Sequence, residues 1–165
     1  MKRGTRARSL RRSRLANPRF YLRALFLAVG LAFFVMPYAV DALNLVVAPK
    51  SEDGCRVVRV VDGDTVTLWC PGGAGAERAR IVGVDTPEKY SAGCPSEAAK
   101  ALAAEWYLRG LLATGDTLVV QGDGRDRYDR RLVRLFVDQE NVARLIVDAG
   151  HGRPYRGGAR KGWCG

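Results

Sequence analysis

Histidine is nearly absent from this chain: His151 stands alone among 165 residues, which excludes sites built on paired histidines and leaves it to be read as a loop residue. None of the four cysteines, Cys55, Cys70, Cys94 and Cys164, has the two-residue spacing of a zinc or redox motif, so those classes are excluded too. Acids are missing from the start, where Asp41 is the only one in the first 42 positions against nine Lys or Arg. That imbalance removes an obvious inference from the net charge of +10, because the remainder carries 18 basic and 16 acidic residues. The basicity is a property of the N-terminus and is no argument that a folded domain grips a polyanion. No internal repeat is present.

What the N-terminus does contain is a basic leader, 1–23, followed by Ala24 to Val40, 17 residues without a charge. That run is shorter than the ~20 residues of a comfortable span and longer than a signal-peptide core of ~7–15. Val40-Asp41-Ala42 suits cleavage after Ala42, whereas the long basic leader and Pro37 suit an uncleaved anchor; both readings stand. Positive residues stay inside, so either one delivers the rest of the chain to the far side of the cytoplasmic membrane. The expected organisation is a leader at 1–23, a hydrophobic signal or anchor helix at 24–42, a linker at 43–54 and one catalytic domain at 55–165. The expected location is periplasmic or extracellular, secreted or tethered through 24–42.

Four cysteines beyond the leader fit an oxidising compartment. Asp62-Gly63 between the β-rich runs 56–61 and 65–69 signals a two-residue hairpin turn. Counting outward from it sets Cys55 opposite Cys70, which leaves Cys94 to tie the start of a helix to Cys164. A third strand is expected over 78–84, a helix from Pro95 to Leu112 with Ala101, Ala104, Leu108 and Leu111 on one face, strands over 117–121 and 132–137, and a second helix over 141–149 ended by Gly150. Three strands, a helix, two strands and a helix is the order of an α+β fold built on a five-stranded oligonucleotide-binding-type (OB-fold) β-barrel. Other α+β arrangements share that order.

The chemistry rests on carboxylates and arginines. Asp64 beside a turn and Asp85 at a strand end are hard oxygen donors on fixed backbone, a pairing that suits Ca²⁺. Each alone reads as a turn residue. Glu88 follows Pro87, which stiffens the backbone. Glutamate is ionised at neutral pH and is the type to serve as general base, or else a loop-surface charge. Arg80 and Arg130 carry planar forks that can hold two phosphate oxygens. Taken singly, each is an ordinary solvated arginine. A straight strand would also put Arg80 and Asp85 on opposite faces, so their convergence requires a bulge or a strand end.

In identity, order and spacing, Val61-Asp62-Gly63-Asp64-Thr65, then Arg80 ahead of Val84-Asp85-Thr86-Pro87-Glu88, then Asp126-Arg127-Tyr128-Asp129-Arg130 resemble the staphylococcal nuclease family from residue 55 to about 155. The resemblance implies the barrel fold and calcium-dependent endonucleolytic cleavage of DNA and RNA leaving 3′-phosphate ends. Residue by residue, it implies Asp64, Asp85 and the backbone carbonyl of Thr86 as Ca²⁺ ligands, Glu88 as the base or water-positioning group, and Arg80 and Arg130 as phosphate clamps. Arg127 and Tyr128 would contact the nucleotide's phosphate, and Tyr155 would stack on a base. The partners so implied are nucleic acid, the membrane if the N-terminal segment is uncleaved, and no second copy, the protein acting as a monomer.

Three departures bear on this expectation. Asp129 replaces a glycine usual in the family, a change that turn geometry tolerates. The stretch from Glu88 to the helix is short. Only Ala159 to Gly165 stands where relatives carry a further helix, so that Cys94–Cys164 would substitute for its contacts. The competing reading is a binding module of the same fold that holds nucleic acid without cutting it. Its usual mark, lost carboxylates or arginines, is absent at the matched positions.

Overall fold

The computed structural model describes residues 18–47, 51–73 and 75–164. Residues 1–17 of the basic leader, 48–50 of the linker, Ala74 and Gly165 lie outside the described residues. The chain divides into two compact units, one ending at Pro37 and the other beginning at Tyr38. Helix α1 runs Pro18–Val47, five residues into the stretch read as linker. Its Pro18–Leu43 portion is long and apolar enough to cross a membrane, and large apolar side chains such as Phe26, Leu27 and Phe34 stand exposed along it.

From residue 56 the chain forms an α+β fold on a twisted sheet. Strands β1 (Arg56–Asp62), β2 (Thr65–Trp69) and β3 (Ala76–Ile81) make an antiparallel meander. After β4 (Gly83–Asp85) and helix α2 (Pro95–Thr114) come β5 (Leu118–Arg125), β6 (Arg131–Val137), β7 (Glu140–Asn141), α3 (Val142–Asp148) and β8 (Arg153–Tyr155). The sheet order β1-β2-β3-β6-β5, with β6 parallel to β3, is the five-stranded OB arrangement expected from the sequence. The ladder is a path and not a closed ring: β1 and β5 are its two ends among the described residues.

Two expectations shift in detail. The hairpin turn is Gly63-Asp64 and not Asp62-Gly63, with Asp62 opposite Thr65. Irregularities between Val60 and Asp62 and between Val57 and Arg59 absorb the difference, so Arg56 faces Trp69 and Cys55 still meets Cys70. The third strand is two strands, because the backbone leaves β3 at Val82 and turns at Gly83, whose φ of +100° a side chain would resist. β4 then pairs with β8 instead of the main sheet.

Alternation explains the core. Val133, Leu135 and Val137 on β6 and Leu118 and Val120 on β5 point inward, joined by Val60, Val66, Leu68 and Ile81. Helix α2 covers them with Ala101, Ala104, Leu108 and Leu112, the last taking the inward place expected of the half-buried Leu111. Truncating a fully buried leucine such as Leu108 to alanine costs about 2–5 kcal/mol. The same helix buries Glu97, Glu105 and Arg109; Glu97 and Glu105 meet the Glu88–Lys89 segment, while Arg109 pairs with Asp41 and donates to Val60 O.

Candidate active site

Three chain segments meet at the tip of the first hairpin. A Cβ on Gly63 would lie 2.6 Å from the Cβ of Ala104 and 3.0 Å from the Thr86 side chain. Only glycine lets the turn, α2 and the Asp85-Thr86 segment pack this closely. The turn is held by Asp62, whose Oδ1 accepts the Asp64 N–H at 3.2 Å. Thr65 is the cross-strand neighbour of Arg80. That register brings Arg80 Nη2 to 2.8 Å from Asp64 Oδ2, while Thr65 Oγ1 donates to Asp64 Oδ1 at 2.9 Å.

The switch at Val82–Gly83 resolves the parity problem. Val82 N still donates to Val133 O at 2.9 Å, and the turned backbone then carries Asp85 round so that its Oδ1 lies 3.9 Å from the same Arg80 Nη2. One guanidinium thus stands between two carboxylates. All three are buried, Arg80 being 7 % exposed and each aspartate 4 %.

Burial pushes the Asp64 carboxyl up to about 6, against the pull of Arg80 and with the help of Asp62. Among the described residues Asp85 Oδ1 accepts no hydrogen bond, although it is buried and Arg160 Nε lies 3.0 Å away, off the line a hydrogen bond needs. Two buried carboxylates, one with an unused oxygen, beside the buried Thr86 are a donor set that fits a hard divalent cation. The cluster of Cys94, Glu97 and Cys164 within 4.8 Å does not, because both sulfurs are consumed in a disulfide.

Glu88 lies just beyond this pair, and α2 fixes its backbone. Glu97 Oε1 accepts the Glu88 N–H at 3.3 Å and its Oε2 accepts the Gly93 N–H at 2.8 Å. The next residue, Lys89, reaches Glu105 at 2.6 Å. The carboxylate of Glu88 itself is 42 % exposed and pairs with Arg160.

Arg130 sits elsewhere, on the loop between β5 and β6. Asp126 organises that loop, its Oδ1 accepting the N–H groups of Tyr128 and Arg130 at 2.9 and 3.0 Å and its Oδ2 the Arg130 Nε at 2.7 Å. Burial opposes its charge, but these bonds outweigh it and hold the Asp126 carboxyl below the usual range. Asp129 adopts a φ of +61°, the left-handed conformation in which glycine is usual. Tyr128 is 65 % exposed between the guanidinium groups of Arg127 and Arg130, at 4.8 and 5.7 Å from its ring. Tyr155 lies 5.8 Å from the Arg80 guanidinium. Arg80, Glu88, Arg127, Tyr128, Arg130 and Tyr155 all line one open cleft of about 1680 Å³.

The family model of the staphylococcal nuclease homologues matches residues 78–161, half of the chain. This protein belongs to that family. A protein named as an uncharacterized endonuclease in Escherichia coli O157:H7 is 36 % identical over 99 residues, covering 58 % of this chain and 56 % of its own length. One of the same description in Haemophilus influenzae is 27 % identical over 107 residues, covering 65 % and 55 %. The thermonuclease of Staphylococcus hyicus is 28 % identical over 103 residues, covering 62 % and 60 %. The chain therefore spans about 55–60 % of the length of these relatives.

In this nuclease homologue the structure brings Asp64, Arg80, Asp85 and Thr86 into one buried group, with Glu88 at its edge. Arg130 and Arg127 share the cleft, but Arg130 pairs with Asp126 rather than with the buried acids. Sequence reasoning missed Glu97, Glu105, Asp126, Arg153 and Arg160. Asp126, at the head of a string already singled out and four residues from Arg130, carried a readable signal for a loop-organising carboxylate. Arg153 and Arg160 reach Asp85 across 68 and 75 residues of chain, and nothing local announces such contacts.

Proposed function

We propose that this domain, residues 55–165, is a calcium-dependent endonuclease that hydrolyses phosphodiester bonds of DNA and RNA and leaves 3′-phosphate ends. The observation that carries the reading is Arg80, buried between Asp64 and Asp85 yet lining the cleft that Glu88 and Arg130 also line. Asp64, Asp85 and the carbonyl of Thr86 are the groups that would hold Ca²⁺, and a hard dication there supplies neutralisation of the charge on the phosphate oxygens. Glu88 orients the attacking water and accepts its proton. Arg80 and Arg130 hold the phosphate oxygens by their planar forks, and their charge matters most as negative charge builds at phosphorus. Arg127 and Tyr128 grip the neighbouring phosphate, and Tyr155 offers a face to a base.

We also place the domain outside the cytoplasm. A span-length apolar helix with a basic leader supports export, as do two disulfides that use all four cysteines. Retention of the helix is favoured by Asp41, which pairs with buried Arg109 of α2 and would be lost by cleavage after Ala42.

The test is digestion of plasmid, single-stranded DNA and RNA by the full chain in detergent, with Ca²⁺ or with chelator. Cleavage that needs Ca²⁺ and is abolished in Glu88→Ala is expected. Cleavage undiminished in chelator, or unaffected by Glu88→Ala, would overturn the mechanism. Tight binding of the polymers without cleavage would make the domain a binding module.

A further inference from the structure

Beyond β8 the chain runs back across the mouth of the site as a fastened strap. It turns at Gly157 and Gly158, both at positive φ near 95°. Tyr155 Oη donates to Gly158 O at 2.7 Å, Arg153 donates to Lys161 O at 2.8 Å, and Lys100 Nζ donates to Trp163 O at 3.1 Å. The Arg153 guanidinium stacks 3.6 Å from the Trp163 ring. The Cys94–Cys164 disulfide then bolts the strap to the N-cap of α2. Arg160 stands inside these fastenings.

Its guanidinium bridges two carboxylates: Nε is 3.0 Å from Asp85 Oδ1, and Nη1 bonds Glu88 Oε1. The Glu88 backbone is already fixed by α2, but its side chain is exposed and has three rotatable bonds. Among the described residues the partner that holds its carboxylate is Arg160. We propose that Arg160 is a positioning residue of the reaction, which fixes the Glu88 carboxylate against Asp85, and that the Cys94–Cys164 strap exists to hold Arg160 there. The inference rests on the role given to Glu88 above. A guanidinium suits the task because its planar fork spans two carboxylates at once, whereas an ammonium engages them as a point charge. Releasing the rotamers of one glutamate corresponds to about a tenfold loss of rate.

The test is steady-state cleavage of a labelled oligonucleotide by the full chain. Arg160→Ala is expected to lower kcat about tenfold with KM within about twofold, Arg160→Lys to recover part of it, and added methylguanidinium to rescue Arg160→Ala. In a Glu88→Asp background, whose shorter side chain no longer meets Arg160, Arg160→Ala should cost less than about twofold more. Replacing Cys94 and Cys164 by serine should lower kcat several-fold when Arg160 is present and hardly at all when it is alanine. Undiminished or increased turnover in Arg160→Ala would show instead a plug on Asp85 and overturn the proposal. So would a loss confined to KM, or a full tenfold loss in the Glu88→Asp background. A harmless Glu88→Ala would sink the proposed function itself, a result separable from any of these.

Discussion

The floor of the cleft and its rim are built in opposite ways. On the floor, Arg80 is a strand residue set by backbone register, and it and its two aspartates are buried. On the rim, Arg130 and Tyr128 ride a loop held by one carboxylate, and Arg160 rides a strap held by a disulfide. The floor is arranged before any ligand arrives, at the cost of burying charge. The rim buries less charge, and its fastenings, one carboxylate and one disulfide, lie outside the core. Stability and chemistry should therefore be tied together at the floor and separable at the rim.

The sharpest way to break that comparison is to remove one arginine from each. Both Arg80→Ala and Arg130→Ala should lower turnover by ~10²-fold or more, the scale of losing one donor to a developing oxyanion. Only Arg80→Ala should also cost stability, by about 3 kcal/mol, because it leaves two buried carboxylates without their shared partner. Arg130 gives up a partly buried pair on a surface loop whose carboxylate keeps its bond to the Tyr128 N–H, worth about 1 kcal/mol, so its variant should melt close to wild type. Calorimetric melting beside the cleavage assay reads both. Equal melting of the two variants would erase the distinction between floor and rim.

That distinction was only half legible in the sequence. Asp64, Arg80, Asp85 and Glu88 stand in strings whose identity and order resemble a nuclease family, and β-rich runs beside a turn signal located the strands next to Asp64, Arg80 and Asp85. The burial of Asp64, Arg80 and Asp85 was not legible, because it depends on α2 settling over the hairpin tip at Gly63. A bulge or strand end between Arg80 and Asp85 was required by parity, but its place at Val82–Gly83 escaped for a related reason: β4 leaves the sheet to pair with β8, which lies some 70 residues further on. The pairing of Cys55 with Cys70 was reached through a turn placed one residue too early, and two irregularities in β1 compensated. Helix α2 read as an apolar face, and its buried Glu97 and Glu105 were hidden because periodicity does not say which polar residues on that face have partners. Arg160 was invisible altogether, since a strap with no regular structure has no pattern to read.

A second prediction sharpens the contrast through pH. Asp64 on the floor is raised from 3.8 to about 6 by burial. The cation-free fold therefore binds a proton that the unfolded chain has already lost. Its contribution, roughly 3 kcal/mol, is fully present below about pH 4 and is lost as pH rises through about 6. A cation competes for that proton. Ca²⁺ affinity should fall about tenfold per pH unit below 6, and Ca²⁺ should raise the melting temperature far more at pH 8 than at pH 5. Asp64→Asn should abolish both dependences, whereas Asp126→Asn on the rim should leave them in place. Equal Ca²⁺ stabilisation at both pH values would show that Asp64 is not a ligand.

The smallest expected effect separates two tyrosines of the rim. Tyr128 projects into solvent, flanked by arginines, while the Tyr155 hydroxyl is engaged with Gly158 O and its ring lies 5.8 Å from both Arg80 and Arg160. Tyr128→Ala should therefore remove only a contact to the polymer, worth about 1 kcal/mol or about fivefold in KM, with kcat unchanged. Tyr155→Ala should lower kcat as well, because it withdraws the surface against which the floor and the strap both rest. The phenylalanine variants discriminate further: Tyr128→Phe loses the hydroxyl that reaches the phosphate and should share the KM rise with kcat unchanged, whereas Tyr155→Phe loses the bond that closes the Gly157-Gly158 turn. Should both phenylalanine variants behave alike in kcat, that turn is not what holds Arg160 over Glu88.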